Sequence, residues 1–73
     1  MLITYVKKAI ESIINTYTKG LYSVSDCIIA IDHIIQDKTA KIESLDKRIA
    51  EQNNLYIFAF KQLEKAIQRM NKQ

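Results

Sequence analysis

The chain has 73 residues, 48% of them apolar and 26% charged, with eleven Lys/Arg against eight Asp/Glu, one Gly and no Pro. A chain of that size holds at most one domain, whose core contributes only about 3–5 kcal/mol, so a partner is expected; the composition excludes disorder and argues against a loop-rich or all-β fold. The formal net charge of +3 is interspersed along the chain, which suits a solvated helix surface and not a nucleic-acid binder with its basic residues on one face.

The first predicted element is a helix over residues 2–19. Ile3, Val6, Ile10, Ile13 and Tyr17 recur at steps of three and four, Leu2 and Ile14 widen the stripe, and Lys7, Lys8, Glu11 and Asn15 lie towards the other side. Its many β-branched residues place its stability in packing rather than in intrinsic propensity. Lys19 then meets Gly20, a cation followed by the one residue that adopts a left-handed conformation cheaply. A turn over residues 20–23 follows. Ser23 with Asp26 has the Ser-x-x-acid spacing of a helix start, and Ser25 is an alternative cap.

From residue 24 to 71 the spacing predicts one long amphipathic helix. Its seam runs through Ile28, Ile31, Ile35, Ile42, Leu45, Ile49, Tyr56, Ala59, Leu63, Ala66 and Met70, with only Lys38 and Gln52 polar at inner positions. This is a heptad register. A Lys stem can lie along such a seam with its ammonium in water, whereas Gln52 needs a polar partner. A helix of that length spans roughly 70 Å at about 1.5 Å per residue, so it must lie against other helices. Its start is apolar around more than half the circumference, which implies two neighbours, one of them the first helix folded back. Residues 36–41 are the weakest point, because Thr39 could cap a new helix; Asn53-Asn54 is a second corner. The unbroken step from Ile35 to Ile42, and the acid-before-base pairs Asp37 with Lys41 and Glu43 with Lys47, favour continuity. The expected fold is therefore all-α, a helical hairpin with one long coiled-coil helix.

Leu55 to Phe60 are six apolar residues in a row, long enough for a strand, but their helical flanks and the continuation through Leu63, Ile67 and Met70 make them helical. Such a run is apolar on every side and needs burial from several directions. Ile57 and Phe58 exceed what a two-helix seam covers and are assigned to contact with neighbouring subunits or a partner. Tyr56, Phe60 and Leu63 are assigned to the hairpin's own packing. With Ile49, Ile67 and Met70 these residues form the expected assembly or partner contact.

Cys27 is the only cysteine, so an internal disulfide is excluded and the residue reads as a small buried hydrophobe. His33 has no second His or Cys at ligand spacing and reads as a solvated surface residue. Lys7, Lys8 and Glu11 interrupt the first nineteen residues, so neither a membrane span nor a cleaved signal peptide is expected. No phosphate loop, metal-ligand set or nucleophile beside a base can be assembled, so the chain is expected to be no enzyme and to use no cofactor.

A family resemblance accompanies this reading. The Gly20-Leu21 connection, the heptads through Ile42-Glu43-Ser44-Leu45-Asp46-Lys47-Arg48-Ile49, Tyr56 and Phe60 four apart, Gln62 to Ile67, and the terminal Met70-Asn71-Lys72-Gln73 resemble the C-terminal coiled-coil region of the bacterial flagellar filament-capping protein, hook-associated protein 2 of the FliD family. Ile57, Phe58 and Ala59 depart from it, since that family usually has polar residues between the Tyr and the Phe. The resemblance implies a homo-oligomeric structural protein of the bacterial flagellum, exported without a cleaved signal, with flagellin or hook-associated proteins and an export chaperone as partners. A small cytoplasmic adaptor, such as a secretion chaperone or a phage-encoded inhibitor, is the alternative from a different class.

Overall fold

The computed structural model describes residues 2–72 and the side chains of residues 3–72; the side chain of Leu2 and the tail residue Gln73 lie outside the described residues. The chain is all-α: α1 spans Leu2–Thr18, α2 Val24–Thr39 and α3 Leu45–Asn71. Each helix packs against the other two. The molecule measures 44 × 21 × 17 Å, so its long axis is about one helix of α3's length at roughly 1.5 Å per residue.

α1 ends as its sequence requires. Gly20 has φ +82°, its amide donates to the Tyr17 carbonyl at 2.9 Å, and the Leu21 amide donates to the Thr16 carbonyl at 3.1 Å. These two bonds make a Schellman cap, which satisfies carbonyls the helix end would otherwise leave open. Ser23, and not Ser25, caps α2. Its hydroxyl accepts from the Asp26 amide at 3.1 Å, and the Asp26 carboxylate accepts from the Ser23 amide at 3.0 Å. Both halves of the capping box are present.

The expected continuous helix from 24 to 71 is broken between Thr39 and Leu45. Thr39 does not cap a new helix. It closes α2, fully buried, with its hydroxyl donating to the Ile35 carbonyl at 2.6 Å. The cap of α3 is Ser44, in extended conformation at φ −71° and ψ 120°, whose hydroxyl accepts from the Lys47 amide at 3.4 Å. Asp46 in the first turn favours the positive end of the helix dipole. Arg48 donates from Nε and Nη2 to the Ile42 carbonyl at 2.9 and 2.6 Å, supplying charged donors where the chain leaves its helical ladder. The two acid-before-base pairs thus straddle the break, and among the described residues the one ion pair is Lys38 with Asp37 at 3.7 Å. A break is favoured because one helix from residue 24 to 71, covered only by the much shorter α1, would leave much of its apolar stripe in water, whereas folding α3 back covers it from two sides.

The core is Val6, Ile10 and Ile14 from α1, Cys27, Ile31 and Ile35 from α2, and Leu55, Ala59, Leu63 and Ala66 from α3. Ile3, Ile13 and Tyr17 are half-buried around it. Cys27 is wholly buried with Sγ 3.8 Å from the Ile13 carbonyl oxygen, and burial, with Asp26 beside it, pushes its thiol pKa up. α3 contributes two small residues, Ala59 and Ala66, and two large ones, Leu55 and Leu63. The seam expected from the sequence is followed at Ala59, Leu63 and Ala66, but Leu55 takes the place assigned to Tyr56, and Leu45 and Ile49 are exposed. No helix of the described residues is long and apolar enough to cross a membrane.

Candidate interaction face of α2 and α3

α2 and α3 run antiparallel, and polar side chains tie their outer edges together. The Gln52 amide donates to the Thr39 hydroxyl at 2.9 Å and, more weakly, to the Gln36 carbonyl oxygen at 3.4 Å. Gln52 therefore has the polar partners that its inner position demands. One turn on, the Gln36 amide donates to the Tyr56 hydroxyl at 2.9 Å, and that hydroxyl donates to the Asp32 carboxylate. Burial, followed by the Asp32 hydrogen bond, raises the Tyr56 pKa, with the Gln36 bond acting in the opposite direction. Both effects favour a protonated phenol, which is what lets Tyr56 donate to a carboxylate.

Apolar side chains surround this polar ladder. On α3, Phe60 stacks on Tyr56 with ring centroids 6.0 Å apart. Ile57 is 54% and Phe60 46% exposed. On α2, Ile28 is 43% and Ile29 69% exposed. Ile28 and Ile29 stand four and three positions before Asp32, and Ile57 and Phe60 one and four after Tyr56, so the Asp32–Tyr56 contact between antiparallel helices puts the four apolar residues within about a turn of one another along the bundle. Leu21 and Tyr22, also exposed, extend the patch beyond the start of α2, where Tyr22, Asp26, Ile29, Ala30 and His33 line a shallow hollow. His33 is exposed, and among the described residues no three His, Cys, Asp or Glu side chains are grouped as metal ligands.

The eight residues expected to make assembly contacts divide three ways. Ile57 is exposed as expected. Ile49 is exposed too, although its heptad position assigned it to the inner seam. Phe58 and Phe60 exchange the roles assigned to them: Phe58 packs half-buried against the core with the Lys7 ammonium 5.0 Å from its ring centroid, while Phe60 faces outward. The reason is α1, which lies against the side of α3 that Phe58 occupies and leaves the Phe60 side open. Leu63 is buried in the core, Tyr56 and Ile67 are half-buried against it, and Met70 is half-buried near the end of α3. Lys38 lies with its ammonium 5.3 Å from the Tyr5 ring centroid, a favourable cation–π placement for a seam lysine.

Sequence reasoning missed Ile28 and Ile29 as members of the face. Ile28 was placed in the seam, and the apolar run at the start of α2 was assigned to burial between two neighbours, one of them the first helix, without Ile28 and Ile29 being singled out as an outer contact. The signal present was the width of that run, which exceeds what α1 and α3 together cover. The chain matches no protein-family model, no characterised protein and no solved structure, so the likeness to the filament-capping family rests on the residues quoted for it alone.

Proposed function

We propose that the chain is a structural interaction module, without catalytic chemistry, that works by burying the outer α2–α3 face against other helices in self-assembly. The observation that carries this reading is the exposure of Ile28, Ile29, Ile57 and Phe60 around a seam whose polar groups already satisfy one another. A contiguous apolar patch on so small a protein marks a binding surface, and satisfied polar groups can be covered without leaving a donor or acceptor unpaired. The cap-like form of the proposal adds a flagellar location, with flagellin or hook-associated proteins and an export chaperone as partners. It is supported by the Tyr56–Phe60 pair and the Met70-Asn71 tail, and a three-helix bundle rather than a long rod has to carry it.

Sedimentation over a concentration series tests the module reading, with the parent chain compared against Ile57→Gln combined with Phe60→Lys. The double variant keeps its helix content and associates more weakly, by about tenfold or more, if both side chains are central to the contact. Unchanged association would make the face incidental and overturn the reading.

A further inference from the structure

We propose that the α2–α3 connection straightens, joining residues 24–71 into one helix, and that two copies of the chain then exchange α3, each α3 docking on the α1 and α2 of the other copy. The exchange uses the stripe of residues 42–49, apart from the outer face assigned above to self-assembly, and stands without that assignment.

Three observations meet at the break. The core keeps one heptad phase across it: from buried Ile31 and Ile35, through Ile42, Leu45, Ile49 and Gln52, to buried Ala59, Leu63 and Ala66, every step is three, four or seven residues. Folded back, the chain leaves the middle of that stripe uncovered. Between Thr39 and Leu55 no side chain is buried, and Leu45 is 62% and Ile49 47% exposed. The connection itself holds nothing that forbids a helix. Residues 40–44 contain no Gly or Pro, Ala40 is already helical at φ −59° and ψ −26°, and the Ser44 side chain caps α3 through one bond of 3.4 Å. Straightening also sets Asp37 before Lys41, and Glu43 before Lys47, at the favourable spacing of one continuous helix.

The register identifies a second copy as the occupant. α2 meets α3 antiparallel through Thr39 with Gln52, Gln36 with Gln52 and Tyr56, and Asp32 with Tyr56, pairs whose midpoints fall at residues 44 to 46. When α3 comes from another copy and keeps those pairs, the two long helices are related by a two-fold axis at the level of Leu45. Leu45 then faces its own counterpart, and Ile42 of each copy stands level with Ile49 of the other. The three apolar residues of the stripe that the core omits are those the axis brings together. α1 covers little of this stretch, since Tyr5 already lies level with Lys38 and α1 begins at Leu2. The centre is therefore two-stranded, and a stripe one heptad seam wide is what two helices cover. The packing of α3 on α1 and α2 is retained between copies, and only the connection differs.

Refolding from denaturant at rising concentration lets α3 dock on its own chain or on another. A dimer fraction that grows with concentration is expected. X-ray scattering gives that dimer a length of roughly 70 Å or more, because residues 24–71 in one helix rise about 1.5 Å each, against 44 Å for the single chain. Gln36→Cys with Gln52→Cys, in a Cys27→Ala chain, sets a thiol on each side of a pair that touches at 3.4 Å. After oxidation the monomer carries the disulfide within one chain, whereas the dimer carries it between chains and stays covalent on a denaturing gel. Leu45→Pro occupies the first position of α3, where the missing N–H is no loss and Ser44 before it is already extended at φ −71° and ψ 120°. The same proline breaks a straight helix, so it keeps the helix content and lowers the dimer fraction by about tenfold or more. Ser44→Ala removes a cap that only the folded-back form uses, and raises that fraction.

A chain that refolds to monomer alone at every concentration overturns the inference. A dimer no longer than about one bundle, or one whose disulfide stays within each chain, is association without exchange and overturns it too, while leaving the outer face as the seat of assembly. A dimer fraction that neither Leu45→Pro nor Ser44→Ala changes shows that no straight hinge joins the copies. Circular dichroism checks the fold of each variant, and the scattering length reads the exchange with no substitution at all.

Discussion

The two connections of this bundle turn the chain by opposite means. Between α1 and α2 every bond is local: the Gly20 and Leu21 amides close onto Tyr17 and Thr16, and Ser23 and Asp26 cap each other. Between α2 and α3 no Gly or Pro is present, and the decisive contacts reach further. Arg48 returns six residues to the Ile42 carbonyl, and Gln52 crosses to Thr39 on the facing helix. The first turn is encoded in the residues that make it. The second exists because the helices on either side of it pack.

The largest effect expected from this contrast is at Arg48. Arg48→Ala removes both charged donors from the Ile42 carbonyl, and hydrogen bonds to charged groups are worth roughly 1.5–3 kcal/mol where they are shielded from water. Because the site is only part-buried, the loss should be about 2 kcal/mol in denaturant unfolding. Amide exchange should then accelerate in residues 40–46 more than in residues 18–24. Equal acceleration at both turns would mean that Arg48 supports the bundle generally and not this connection.

Thr39 sharpens the same point. Thr39→Val keeps the shape of a fully buried side chain but removes the acceptor for Gln52, and an orphaned amide donor in that position costs about 1–2 kcal/mol. Restoring an apolar pair, with Gln52→Leu added to Thr39→Val, should recover most of the loss. A double variant no more stable than Thr39→Val would show that Gln52 satisfies itself elsewhere.

That difference in means also explains how much could be read in advance. Helix content, the first helix, the Gly20 turn and the Ser23 cap follow from local rules, since each involves residues within five positions of one another. Most of the core follows from spacing, because Val6, Ile10, Ile31, Ile35, Ala59, Leu63 and Ala66 sit on stripes of three and four. The break at residues 40–44 does not, because the heptad count passes through Ile35, Ile42 and Ile49 undisturbed. Thr39 marked a possible new start and was outweighed by the unbroken step from Ile35 to Ile42 and the acid-before-base pairs, while Ser44 followed by Asp46, the start that α3 uses, was passed over. The candidate face was half visible for a related reason. A run of six apolar residues carries no phase of its own, so which of Phe58 and Phe60 faces inward is decided by where α1 lies, and that is a tertiary fact.

Smaller effects separate the caps. Gly20→Ala meets no atom within 4 Å of the added Cβ, so its cost is conformational alone, about 1 kcal/mol for a left-handed residue other than glycine. The change should appear in stability without altering the rest of the bundle. A neutral result would mean that Gly20 leaves φ +82° when substituted and that the Schellman bonds contribute little.

The smallest difference is between the two serine caps. Ser23→Ala breaks a reciprocal pair with bonds of 3.1 and 3.0 Å, whereas Ser44→Ala removes a single long bond of 3.4 Å. Cap removal costs about 0.5–2 kcal/mol, and these geometries put Ser23 near the middle of that range and Ser44 at its lower end. Thermal unfolding of both variants beside the parent measures the gap. Ser44→Ala as the more damaging change would mean that the second connection depends on its local cap after all. It would also move the origin of the α2–α3 turn from packing to the residues of the turn itself.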